Sequence, residues 1–266
     1  MSVLIVIPAR FASTRYPGKP LVPLTGASGI ARTLIERSWL AAQSVSGIDR
    51  VVVATDDDRI RDVAQGFGAE VVMTSTDCRN GTERCAQAHA QLGGGYDIVV
   101  NLQGDAPLTP PWFIEDLVAG LRAAPQAEVA TPVLRCDGTA LAGFLADRRA
   151  GRVGGTTAVF AADRTALYFS KEVIPFTAHP YDAHDPTPVF HHVGVYAYRP
   201  AALAAYPDWP EGPLERLEGL EQLRFLENGR KVLCTEVAAR GREFWELNNP
   251  EDVARIEAMM AGMGLE

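Results

Sequence analysis

A series of short runs of Val, Ile and Leu, each followed by a polar loop and an amphipathic stretch, constrains this chain most. The runs are Ser2–Pro8, Arg50–Thr55, Glu70–Met73, Asp97–Leu102 and Glu128–Val133. Runs this short, bounded by turn residues, read as strands, and their continuous apolar character marks burial on both faces. Between them lie stretches with helical spacing. Ile30–Ala42 puts Ile30, Leu34, Ile35, Trp39 and Leu40 on one side. Asp56–Asp58 caps a helix over Arg59–Phe67, Gly81–Gln91 is helical, and a leading proline opens Pro110–Ala124. Strand and helix alternating at this pitch predict an α/β fold with a doubly wound, mostly parallel sheet.

The second half is less regular. Leu134–Gly155 and Phe176–Pro188 read as loop-rich, Thr157–Phe160, Val193–Tyr198 and Lys231–Val237 as strands. Leu214–Leu226 reads as one amphipathic helix on Leu214, Leu217, Leu220 and Phe225. Asn248-Asn249-Pro250-Glu251-Asp252 starts a closing helix that runs to Met260. The expected organisation is a single domain: a core over 1–133, an inserted small mixed sheet over about 134–212, and a return to the core over 213–266.

Composition sets limits on partners. The net charge is -8 over 266 residues, which argues against a broad nucleic-acid or anionic-membrane surface. Cys78, Cys85, Cys136 and Cys234 form no CxxC pair and have no zinc-site spacing, so they read as reduced thiols of a cytoplasmic protein. The chain opens directly on a strand without a basic leader, and no apolar run reaches the roughly 20 residues of a membrane span. The expectation is a protein with neither signal peptide nor membrane anchor.

In doubly wound sheets ligands bind beyond the carboxyl ends of the strands. The loops after Ile7, Ala54 and Leu102 are therefore expected to meet. The first holds Arg10, Arg15 and Lys19 among small residues and Gly18, a composition suited to a phosphate chain and equally to a solvated surface loop. The last carries Asp105 beside Gly104, placed to hold a magnesium ion or simply to cap the next turn. There is no Gly-x-Gly-x-x-Gly and no GKS or GKT loop, which argues against a dehydrogenase or P-loop kinase.

Pro8-Ala-Arg-Phe-Ala-Ser-Thr-Arg-Tyr-Pro-Gly-Lys-Pro-Leu21 resembles the opening signature of 3-deoxy-manno-octulosonate cytidylyltransferases. Val53-Ala-Thr-Asp56, Asn80-Gly-Thr-Glu-Arg84 and Val100-Asn-Leu-Gln-Gly-Asp105 are similar to later blocks of that family. So are Ala166-Leu-Tyr-Phe-Ser170 with Ile174-Pro175, His192-Val-Gly-Val-Tyr196, and Pro213-Leu-Glu215 with Leu220-Glu-Gln-Leu-Arg224. They recur in family order from about residue 3 to about residue 255. The resemblance implies a nucleotide-diphospho-sugar transferase fold with a small sugar-binding and dimerisation subdomain. It also implies a cytoplasmic homodimer that couples CTP to an acidic sugar with Mg2+, releasing pyrophosphate, for lipopolysaccharide biosynthesis. By position it implies catalytic roles for Arg15, Lys19 and Asp105, and CTP contacts from Ala9, Arg10, Thr55, Thr82 and Arg84. It assigns Gln103, His192, Tyr196, Glu221 and Gln222 to the sugar, and Asp105 and Asn248 to the metal. Apart from the resemblance, His192 also reads as a structural histidine, Tyr196 as core, and Glu221 and Gln222 as a polar helix face.

Three positions depart from the family pattern. Ala106 stands where a Glu is usual beside Asp105, and Asn248 stands where the family has a second metal carboxylate. Thr156-Thr157-Ala158-Val159 replaces a Val-Lys-Val strand, removing a cation. Three alternatives follow: an enzyme for a related acid such as the 8-amino sugar, a nucleotidyltransferase for a phosphorylated substrate, and a weakly active CTP-binding paralogue.

Overall fold

The computed structural model describes residues 2–266 except 13–15, 106, 154, 243–244 and 248. In chain order the elements are β1 (Val3–Ala9), β2 (Pro23–Thr25), β3 (Ala31–Thr33), α1 (Leu34–Gln43), β4 (Arg50–Thr55), α2 (Asp58–Gly66), β5 (Glu70–Met73) and α3 (Gly81–Gln91). There follow β6 (Ile98–Leu102), α4 (Pro111–Ala123), β7 (Val129–Asp137), α5 (Gly138–Arg149), β8 (Thr157–Phe160), β9 (Ala166–Ser170) and β10 (Pro186–His192). The last are β11 (Val195–Tyr198), α6 (Pro200–Ala205), α7 (Pro213–Glu218), α8 (Leu223–Glu227), β12 (Val232–Val237) and α9 (Asp252–Met263). They form two compact units: Met1–Glu115 with Tyr198–Pro207 and Arg240–Glu266, and Asp116–Ala197 with Asp208–Ala239.

The first unit is the parallel α/β core that the apolar runs predict. Its strands lie in the order β5-β4-β1-β6, all parallel. Residues 3 to 7 of β1 are wholly buried, as a strand covered on both faces must be. The chain winds outward from β1 through β4 to β5, then returns to the other side of β1 as β6. That reversal puts the topological switch point between β1 and β6. α1 is shorter than its periodicity suggests, because Ile30 lies in the turn of a two-stranded hairpin, β2 with β3, and Thr33 caps the helix by accepting from Glu36 N. Its buried side also includes Arg37, whose guanidinium donates to the Leu24 and Ile30 carbonyls of the hairpin. Leu40, assigned to the apolar side, is exposed.

In the second unit β7 pairs antiparallel with β10 and parallel with β12, and β8 pairs antiparallel with β10 and β9. Two expectations change here. Residues 138–149, read as loop, are α5, capped by Asp137, whose carboxylate accepts from Ala140 N. Its apolar residues are scattered, with Leu141 the buried leucine of the helix, so the helical period is faint. The single helix expected over 214–226 is two, because Gly219 is left-handed (φ 62°) and ends α7. Glu215 and Arg224 form a buried ion pair (2.6 and 2.7 Å) between them, and the Glu227 carboxylate accepts from the Leu214 and Glu215 amides of the first turn of α7.

Candidate nucleotide and sugar site

The switch point of the first unit gathers the expected charges. β1 ends at Ala9, in register with Thr55 of β4, and Arg10 follows, donating to the Arg79 carbonyl at 3.3 Å. The loop closes where Gly18 N–H donates to the Phe11 carbonyl at 2.9 Å, with Gly18 left-handed (φ 71°), and Lys19 comes next. From beyond β6, Asp105 meets it: Lys19 Nζ lies 2.8 Å from Asp105 Oδ2. Gly104 makes that approach possible, since a Cβ there would sit 3.2 Å from the Pro8 carbonyl at the end of β1. The Asp105 carbonyl accepts from Leu247 N at 2.9 Å, which brings the chain just before α9 to the same place. Arg15 and Asn248 lie outside the described residues.

The other Asp105 oxygen, Oδ1, is buried and has no hydrogen-bond partner among the described residues. A buried carboxylate oxygen without a partner is costly, so it marks a place for a donor or cation. Among the described residues no group of three or more His, Cys, Asp or Glu side chains converges on a metal position. Mg2+ commonly takes only one or two carboxylates and completes its shell with water and phosphate oxygens. Asp105 fits that mode, with Oδ1 the atom that would hold the ion.

Thr55, Thr82 and Arg84 are buried beside this region and engaged within the protein. Thr55 Oγ1 accepts from Asp57 N at 3.3 Å. Thr82 Oγ1 shares a 2.8 Å bond with the Tyr198 hydroxyl. Arg84 pairs with Asp56 at 2.9 Å and bonds Thr74 Oγ1. Asn80 caps α3 through Glu83 N and donates to the Tyr206 hydroxyl at 3.0 Å. Asp56, Tyr198 and Tyr206 are site-supporting residues that the sequence reading did not single out. Asp56 read as a helix cap, and its partner lies 28 residues away with no local spacing to reveal it. Gln103 sits half-buried directly after β6.

In the second unit His192 closes β10. Its ring packs edge-on to Phe169 (5.0 Å) and beside Tyr196 (5.6 Å). The Thr131 hydroxyl lies 2.9 Å from the Val195 carbonyl, 3.2 Å from the Val193 carbonyl and 3.0 Å from His192 Nε2; donation to a carbonyl leaves an oxygen lone pair that suits the tautomer with hydrogen on Nε2. Burial, reinforced by the neighbouring His191, pushes His192 down to about 3. The ring is therefore neutral at physiological pH, which suits it to hydrogen bonding rather than to acid chemistry. The Tyr196 hydroxyl donates to Gln222 Oε1 at 3.1 Å, leaving the buried Gln222 Nε2 without a partner among the described residues. Glu221 is the half-buried neighbour of Gln222, in the turn before α8. The lysine of the family pattern is absent: Thr157 is buried and its hydroxyl donates to the Glu172 carbonyl at 2.6 Å.

A parallel sheet whose switch point joins a cationic loop to one carboxylate is the arrangement of a nucleotide-handling α/β protein. The cytidylyltransferase family model matches residues 4–232. A 3-deoxy-manno-octulosonate cytidylyltransferase of Maricaulis maris (strain MCS10) is 46% identical over 264 residues, covering 99% of both chains. An 8-amino-3,8-dideoxy-manno-octulosonate cytidylyltransferase of Shewanella frigidimarina (strain NCIMB 400) is 40% identical over 98% of this chain and 99% of its own. The solved structure of a CMP:2-keto-3-deoxy-manno-octonic acid synthetase complexed with CTP superposes with a TM-score of 0.82 at 32% identity, covering 99% of this chain and 100% of that one. The chain belongs to the cytidylyltransferase family.

Proposed function

We propose that this chain transfers CMP from CTP to 3-deoxy-manno-octulosonate, releasing pyrophosphate, for lipopolysaccharide biosynthesis. The observation that carries the reading is the meeting of Lys19 and Asp105 at the switch point, with Asp105 Oδ1 buried and without a partner among the described residues, in a chain similar over its full length to such enzymes. In the proposed reaction the sugar's anomeric 2-hydroxyl attacks the α-phosphorus in line and pyrophosphate leaves, with no covalent enzyme intermediate. Arg10, Arg15 and Lys19 are assigned to the triphosphate, with Lys19 and Arg15 neutralising charge that builds on the leaving pyrophosphate. Ala9, Thr55, Thr82 and Arg84 are assigned to the nucleoside. Buried Arg84 acts by fixing Asp56 and Thr74 in the wall behind it. Gln103, His192, Tyr196, Glu221 and Gln222 are assigned to the sugar acid, where the Gln222 amide, without a partner among the described residues, and the neutral His192 offer hydrogen bonds without charge. Asp105, with Asn248, is assigned to Mg2+, which when bound supplies charge neutralisation of phosphate oxygens and a lowered pKa for the attacking hydroxyl.

A cytoplasmic homodimer is part of the proposal. Free thiols at Cys78, Cys85, Cys136 and Cys234 suit a reducing compartment. Among the described residues no helix is long and apolar enough to cross a membrane. Phe176 (88% exposed) and Leu217 (83%) of the second unit are large apolar side chains suited to cover by a second copy of the chain.

The 8-amino sugar is a second reading, favoured by Thr157 at the family's lysine position: without that ammonium, a substrate carrying its own amine meets less repulsion. The test follows pyrophosphate release with CTP, Mg2+ and each sugar acid in turn. Turnover with 3-deoxy-manno-octulosonate at a kcat/KM at least about tenfold above the 8-amino analogue, roughly 1.4 kcal/mol of discrimination, supports the first reading. The reverse order selects the second, and no release with any sugar acid rejects both.

A further inference from the structure

We infer that Arg59 is a positioning residue for the nucleotide loop, clamping Phe11 and through it the placement of Lys19; the inference rests on the cytidylyltransferase reading. Arg59 is the second residue of α2, and its side chain is 60% exposed, so position alone would make it an ordinary surface cation. Its geometry differs from that. Asp57 holds the guanidinium at two points, Nε at 2.9 Å and an Nη at 2.6 Å, while the same carboxylate accepts from Arg59 N at 3.0 Å. Fixed in this way, the guanidinium carbon lies 3.3 Å from the centre of the Phe11 ring. A cation over an aromatic face is attracted by the ring quadrupole, and a pre-fixed guanidinium loses little entropy in making the contact.

The Phe11 ring edge in turn rests on the neck of the loop. A Cβ on Gly18 would stand 3.1 Å from Phe11 Cε2 and Cζ, and Gly18 N–H donates to the Phe11 carbonyl. The next residue is Lys19, whose ammonium meets Asp105. A continuous path therefore runs from Asp57 through Arg59, Phe11 and Gly18 to the Lys19 backbone. Arg59 acts on the cationic loop through the ring, with no contact to the reacting atoms required.

The experiment measures CTP binding by calorimetry at fixed Mg2+, with KM and kcat, for the unsubstituted chain and for Arg59→Ala, Arg59→Lys, Phe11→Leu and the Arg59→Ala/Phe11→Leu double variant. Arg59→Ala and Phe11→Leu are each expected to weaken CTP by about 5- to 20-fold, with kcat at saturating CTP kept within about threefold. The double variant is expected within about twofold of the weaker single, since both remove one contact. Arg59→Lys restores part of the affinity. Arg59→Ala binding CTP within about twofold of the unsubstituted chain overturns the inference, as does a full loss from Arg59→Ala alone with Phe11→Leu unchanged, which would make Arg59 a direct phosphate ligand. Absence of CTP binding in the unsubstituted chain overturns the cytidylyltransferase reading and this inference with it.

Discussion

The carboxylate of Asp105 has two oxygens in different states: one takes the Lys19 ammonium at 2.8 Å and the other is buried without a partner among the described residues. The pairing orients the carboxylate, while the oxygen without a partner among the described residues supplies the reason for a cation. Asp105→Ala is expected to lower kcat for pyrophosphate release by about 100- to 1000-fold, the scale for removing one electrostatic stabiliser, with the fold intact by circular dichroism. A second prediction concerns His192, held down to about 3 chiefly by burial. An unfolded histidine titrates near 6.5, so below that pH the unfolded chain binds a proton that the folded one refuses. Stability contributed by the neutral ring is complete above about 6.5 and declines toward about 3, at roughly 1.4 kcal/mol per pH unit. Urea unfolding between pH 7 and 4 is expected to show this slope, and His192→Gln to make it shallower by about one proton's worth. An unchanged slope in the variant would mean that His192 is not a buried neutral ring.

Elements decided how far the sequence could be read. β1 and β4 announced themselves because strands covered on both faces must be apolar throughout, and that pattern has few other causes. α5 left no such mark: of its apolar residues, Leu141 is the buried leucine, so the burial that identifies an amphipathic helix is nearly missing from the letters. The break between α7 and α8 depends on tertiary contacts. Gly219 turns left-handed and the Glu215–Arg224 pair closes the corner, putting Glu221 and Gln222 on a turn instead of a helix face. Arg224 is 1% exposed, so Glu215→Ala would strand a buried guanidinium. The expected cost is about 3–5 kcal/mol in chemical denaturation, whereas Glu215→Gln, which keeps an acceptor, should cost less. Equal losses from the two variants would mean that the charge, which both remove, carries the pair and that a neutral acceptor contributes little.

At the scale of the whole chain, the outward winding from β1 to β5 and the return to β6 explain why residues 86 positions apart share one ion pair. The loops after β1 and β6 were expected to meet from the rule for open sheets, and Lys19 and Asp105 do so. Their partners were less legible: Asp56 for Arg84, Tyr198 for Thr82 and Arg59 for Phe11 join residues whose separations carry no period. Among the residues proposed for the sugar, the types of His192, Tyr196 and Gln222 were readable, but the bonds that leave the Gln222 amide without a partner among the described residues were not. The most direct measurement of the account is anomalous diffraction from a crystal soaked with CTP and Mn2+. The account predicts a metal peak about 2.1 Å from Asp105 Oδ1 with Lys19 turned to the triphosphate. CTP bound elsewhere, or a metal peak away from Asp105, would contradict it.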